Sequence, residues 1–124
     1  MVDSDADARE GLREELHRAG FKTAPAASAD EVVCRLEAEE DEVSGVIVRQ
    51  PLALEVLRIV RTRDGMQPNV VVRGVANETA VTEAYTAGAD DFVALDAPTV
   101  ELLGRLRGLM RNRDYLDRLA QKER

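Results

Sequence analysis

Two short apolar runs, Gly45-Val46-Ile47-Val48 and Asn69-Val70-Val71-Val72, constrain the fold more than any other feature of this chain. Neither alternates with polar residues. Each is rich in β-branched side chains and too short for a buried helix, so both are predicted to be strands covered on two faces. The segments around them have helical spacing instead. Ala8, Leu12, Leu16 and Ala19 share one stripe, with Asp5 placed to cap its start and Gly20 to end it. Leu54, Leu57 and Val60 form a second stripe, widened by Val56 and Ile59, with Pro51 ahead of it and Asp64-Gly65 behind. Ser28 and Glu31 have capping-box spacing before Val32, Val33, Cys34 and Leu36. Asn77 is placed to cap a helix that reaches Ala87 and stops at Gly88. Short strands are expected over residues 21–24, ended by Pro25, and over residues 92–95. A last helix, opened by Asp96 and Pro98, is expected over residues 99–120.

Strands and helices therefore alternate, which predicts an α/β fold with a parallel sheet and right-handed crossovers. The expected arrangement is a flavodoxin-like, doubly wound, five-stranded sheet of order 2-1-3-4-5, with an extended C-terminal helix. Its functional crevice lies at the carboxyl ends of the strands. The first strand is expected to be very short, because only Met1 and Val2 precede Asp3. It is either a stub or the remainder of a strand whose start lies upstream of this sequence.

The 124 residues suit one domain with one core. Aromatic residues are 3% of the chain and tryptophan is absent, so that core must be built from Val, Leu, Ala and Ile. The net charge of −7 argues against nucleic acid as the main partner of the domain, and fits a halophilic surface as well as an ordinary acidic one. No apolar run is long enough for a membrane span, and the acidic start is not a signal peptide, so the expected location is the cytoplasm. The single cysteine, Cys34, excludes an internal disulfide framework and is expected to be a small buried core residue. From residue 99 onward there are seven Lys/Arg and four Asp/Glu, so a basic helix is attached to an acidic body.

The stretch Ala87-Gly88-Ala89-Asp90-Asp91-Phe92-Val93-Ala94-Leu95, taken with Val2-Asp3-Ser4-Asp5-Ala6-Asp7-Ala8-Arg9, resembles the receiver domain of two-component response regulators. The resemblance covers residues 2–111, and the receiver-like domain is accordingly placed at residues 1–111, with 112–124 as a helical extension or linker. Receivers take a phosphoryl group from a histidine kinase onto an aspartate, with magnesium held by neighbouring acids. On this resemblance Asp3 matches the first metal-holding acid, while Ser4 replaces the second. Arg49 stands where the acceptor aspartate belongs, Arg73 at the Thr/Ser position, and Leu95 at the lysine position, followed by Asp96 in place of proline. Phe92 matches the switch aromatic. The Gly-containing segment after the acceptor is missing. Asp41 and Glu42 precede the third strand, at the wrong end of the sheet to serve as acceptors.

One carboxylate beside two guanidiniums is a poor site for a cation that prefers hard anionic oxygens. An arginine cannot replace a carboxylate nucleophile. The resemblance thus implies a non-enzymatic pseudo-receiver without a cofactor, acting by protein contact with a kinase or output domain. A homodimer through the fourth and fifth helices is a further expectation. Two alternatives remain at this level: a small-anion-binding domain using Arg49 and Arg73, or a phosphoreceiver with an atypical acceptor. Asp3 is expected to pair with one or both arginines. The segment from Met110 to Leu119 is similar to the junction between haloarchaeal receivers and the HalX domain. Other chemistry is excluded. Gly104 and Gly108 lie inside a helix rather than in a phosphate loop, and His17, the only histidine, has nothing clustered with it.

Overall fold

A computed structural model describes residues 1–38, 43–64 and 67–122, without the side chains of Ala120 and Lys122. Asp41, Glu42 and Gly65, which bear on the sequence reading, lie outside the described residues. The two apolar runs form adjacent strands, β1 (Gly45–Arg49) and β2 (Asn69–Gly74), and β3 (Asp91–Ala94) lies on the other side of β2. All pairing is parallel, with Val46 opposite Val70, Arg49 opposite Arg73, and Arg73 opposite Val93. The helices are α1 (Ala6–Arg18), α2 (Ala29–Ala38), α3 (Ala53–Arg61), α4 (Glu78–Thr86) and α5 (Thr99–Lys122).

The first two expected strands are reduced to single rungs. Val2 bridges both Ala26 and Val48. Its N–H donates to the Ile47 carbonyl at 2.6 Å, and its carbonyl accepts from Arg49 N–H at 3.0 Å. On the other side, Ala26 N–H donates to the Met1 carbonyl at 2.9 Å, and Asp3 N–H donates to the Ala26 carbonyl at 3.1 Å. The spatial order is thus Ala26, Val2, β1, β2, β3, which is the expected 2-1-3-4-5 order of a flavodoxin-like sheet. The strand expected over residues 21–24 does not form. The rung that Val2 makes with Ala26 falls beyond Pro25, which has no N–H to give to a strand before it.

Two layers of side chains cover the sheet. Val46, Val48, Val70 and Val72 pack with Val32 of α2, with Val56, Leu57 and Val60 of α3, and with Ala84 of α4. Ile47, Val71 and Val93 face the other way, against Leu12 and Leu16 of α1 and Leu102 and Leu106 of α5. Val70, Val71 and Val72 are completely buried, which is why the run reads as continuously apolar rather than alternating.

The caps follow the sequence. Asp5 accepts from Asp7 N–H at 3.0 Å and Ala8 N–H at 3.1 Å, and Asn77 accepts from Ala80 N–H at 2.8 Å. Ser28 accepts from Glu31 N–H at 3.3 Å, while Glu31 reaches back to Ala27 N–H at 2.7 Å, one residue before the capping-box position. Cys34 is exposed, contrary to the buried position expected. The buried side of α2 carries Ala29, Val32 and Leu36, and two residues beyond Val32 a helix has turned about 200°, onto its outer face.

The motif before β3 is held by Arg61. Gly88 adopts φ 106°, and a side chain there would press on Arg61 at 3.1 Å. Arg61 donates to the Gly88 carbonyl through Nε at 2.9 Å and Nη2 at 2.8 Å, and to Asp90 at 2.8 Å. Asp90 in turn accepts from Val70 N–H at 2.7 Å. At the far end of the chain, α5 runs unbroken through the expected boundary at residue 111. Leu102 and Leu106 are buried, Leu109 and Met110 are partly packed, and Arg113 donates to the Gln67 carbonyl at 2.8 Å. Tyr115, Leu116 and Leu119 are exposed.

A cavity of about 520 Å³ opens at the amino ends of the strands, between residues 22–26 and 44–47. Both core layers contribute to it, through Leu16, Leu106 and Met110 on one side and Val32 and Leu36 on the other. Met1 lies in its wall. Burial lowers the pKa of the Met1 amine from 8.0 to about 6.

A depressed amine pKa means that the unfolded chain holds this proton between about pH 6 and 8 while the folded chain has released it. Stability should therefore rise with pH across that window, by roughly 2–3 kcal/mol for a two-unit shift. Denaturant titrations between pH 5.5 and 8.5 check this, and N-terminal acetylation should remove the rise. The Arg61 clamp gives a second expectation: Arg61→Ala removes charge-assisted bonds to Gly88 and Asp90, costing about 2–3 kcal/mol in chemical denaturation.

Candidate functional site

The carboxyl edge of the sheet holds the candidate residues. Side chains alternate along a strand, so Arg49 follows Ile47, and Arg73 follows Val71, onto the face covered by α1 and α5. Asp3 enters the same edge from the Val2 rung and is buried, at 5% exposure. Its Oδ2 accepts from Arg49 Nη1 at 3.3 Å, which is the expected pairing. Its Oδ1 accepts from Asp5 N–H at 2.9 Å, and its main-chain carbonyl accepts from Arg9 at 2.8 Å. Asp3 thus ties the amino end of α1 to β1.

Arg73 makes no equivalent pair. Its Nε is buried without a hydrogen-bond partner. Burial, and then the like charge of Arg49, push its pKa below the usual arginine value, while Asp3 and Glu15 act in the opposite sense. The guanidinium remains charged near neutral pH. Leu95 is half-buried, and its N–H donates to the Gly74 carbonyl at 2.9 Å. Ser4 is exposed and makes no bond to this group. Phe92 is buried in the opposite layer, with α3 and α4, so the sheet separates it from the arginines. His17 is exposed on α1.

These residues do not fit a magnesium ion. Both Asp3 oxygens are already engaged, and two guanidiniums face the same edge. Among the described residues, no group of three or more His, Cys, Asp or Glu could hold a metal.

Gln50 was not singled out from the sequence. It follows β1 immediately, and its N–H donates to the Arg73 carbonyl at 2.9 Å. Its side chain lies over Gly74, where a Cβ would sit 2.1 Å from Oε1, and Oε1 accepts from Val75 N–H at 3.2 Å. Gly74, lacking a Cβ, leaves room for the Gln50 side chain in this position. The only sequence signal was position, a polar residue directly after a buried strand.

Comparison with known proteins agrees with this fold. No family model matches the chain. It is 27% identical over 124 residues to the transcriptional regulatory protein TrcR of Mycobacterium tuberculosis, covering 98% of this chain and 48% of that protein. The chain thus spans about half the length of the curated relative it matches. Among solved structures, NtrX from Brucella abortus superposes with a TM-score of 0.84 at 20% identity, over 97% of this chain and 27% of that one. The signal receiver domain of a response regulator from Bermanella marisrubri superposes with a TM-score of 0.77 at 22% identity, over 88% of this chain and 93% of that one. The chain has the fold of a response-regulator receiver domain. Among the described residues, no helix is long and apolar enough to cross a membrane.

Removing the carboxylate should leave two like charges at one edge. Asp3→Ala is expected to cost about 2–3 kcal/mol, less than for a fully buried pair because Arg49 retains 30% side-chain exposure. Thermal or denaturant melting measures this, and adding Arg49→Leu to Asp3→Ala should recover part of the loss.

Proposed function

We propose that the chain is a receiver-like signalling module of a two-component pathway that works without phosphorylation of an aspartate in its crevice. The observation that carries this reading is the occupation of Asp3 by Arg49. A guanidinium, rather than a cation-binding carboxylate, lies beside Asp3 at the end of β1. Receivers are generally signalling modules rather than enzymes. Arg49, Arg73 and Leu95 cannot accept a phosphoryl group or read one in the receiver manner. A ligand shifts a conformational equilibrium only through its different affinity for the two states, so a phosphodonor has no covalent handle on this domain.

The module would then act through contact with a kinase or an output domain, on the face made by α4, β3 and α5. Asp91 orders that face. It accepts from Arg105 Nη1 at 3.0 and 3.1 Å and from the Tyr85 hydroxyl at 3.2 Å. Val100 and Tyr85 stand exposed on the helices that flank β3.

Intact mass after incubation with acetyl phosphate and magnesium should show no added phosphoryl group, and amide spectra recorded with acetyl phosphate should superimpose on those recorded with the same concentration of inorganic phosphate. Shifts spreading from β1 to Phe92 that inorganic phosphate does not produce, or a stable phosphoryl adduct, would sink the reading.

A further inference from the structure

Arg49 and Arg73 are opposite each other on adjacent parallel strands and share one face of the sheet. Neighbouring strands lie about 4.8 Å apart, so two cations are held side by side at one edge. One carboxylate answers them, and it is committed: Asp3 gives Oδ2 to Arg49 and Oδ1 to Asp5 N–H. Glu15 of α1 favours the charge on Arg73 without bonding to it. Arg73 is left with a buried Nε that has no acceptor, and its guanidinium makes no ion pair among the described residues. Arg49 spends only Nη1 on Asp3. Donors therefore outnumber bonded acceptors here: of the carboxylates near the pair, only Asp3 accepts a hydrogen bond, and it does so from Arg49.

We propose that Arg49 and Arg73 form a binding site for a small oxyanion of the phosphate class. A tetrahedral oxyanion offers several acceptor oxygens, which suits the forked donors of two guanidiniums approaching from adjacent strands. It would give acceptors to the Nη groups of Arg73, beside the buried Nε, and would separate two like charges by a shared negative one. A dianion is favoured over chloride because it carries more charge and more acceptors to the same donors. The body of the protein is acidic, with a net charge of −7, so long-range attraction does not assist and binding depends on direct contact. The site rests on the arginine pair alone and does not require the signalling role.

The test is a titration with inorganic phosphate against chloride at constant ionic strength. The readouts are the side-chain Nε–Hε resonance of Arg73 and the melting temperature. Phosphate should move the resonance saturably and raise the melting temperature, while chloride should do neither. Arg73→Leu, which places an apolar side chain beside Val93, should lose the thermal response and keep the fold. An equal response to both anions, a shift that never saturates, or an undiminished thermal response in Arg73→Leu would overturn the proposal. Should that variant fail to fold, the titration of the unmodified chain decides alone.

Discussion

The parallel pairing of β1 with β2, buried on both faces, sets everything else in this molecule. Val46 and Val48 point to one layer with Val70 and Val72, and Ile47 and Val71 point to the other. A slip of one residue would exchange the layers and expose apolar side chains to the wrong helices, so the register is tightly specified. That register makes Arg49 and Arg73 neighbours, places Gln50 over Gly74, and positions Gly74 to receive Leu95. The crevice is a consequence of valines several residues away from it.

Charge in the crevice is arranged around one buried carboxylate. Asp3 is the only buried charged residue among the described side chains, and it is satisfied from three directions by α1 and β1. Its pairing with Arg49 reduces the cost of burying either charge. Arg73 lacks that compensation. The edge is therefore asymmetric: one guanidinium is part of the scaffold, while the other is held by the strand without a side-chain hydrogen bond or ion pair among the described residues. Acidic receiver chemistry would need the reverse polarity at the same edge.

Much of this was legible in the sequence, because it depended on local signals. The capping roles of Asp5 and Asn77, the stops at Gly20 and Gly88, and the two-face burial of the valine runs all follow from residue type and spacing. The Asp3–Arg49 pair was legible once both residues were assigned to the carboxyl edge. What escaped depended on partners distant in sequence. Cys34 fell within an apolar run, but the orientation of α2 is chosen by Ala29, Val32 and Leu36 together. Residues 21–24 have strand character but no central strand long enough to pair with them. Gln50 matters because a glycine on the next strand leaves room for it, and single-strand patterning cannot see that. Receiver fold and crevice edge could be read; the division of labour between the two arginines could not.

The two faces of the sheet also limit how any event at the arginines could be felt elsewhere. Phe92 lies in the α3–α4 layer, while Arg49 and Arg73 belong to the α1–α5 side. Among the described residues the two sets belong to separate core layers. The connection is the sheet itself: Arg73 is opposite Val93, and Val93 is covalently next to Phe92 and packed in the α1–α5 layer. A change at Arg73 must therefore move a β2–β3 rung before it moves Phe92. Those rungs are clamped at the amino end by Arg61 and Asp90, and Asp91 is held from α5 by Arg105. Interiors packed in this way resist continuous deformation and respond by switching between discrete arrangements or not at all. The clamps favour the second outcome.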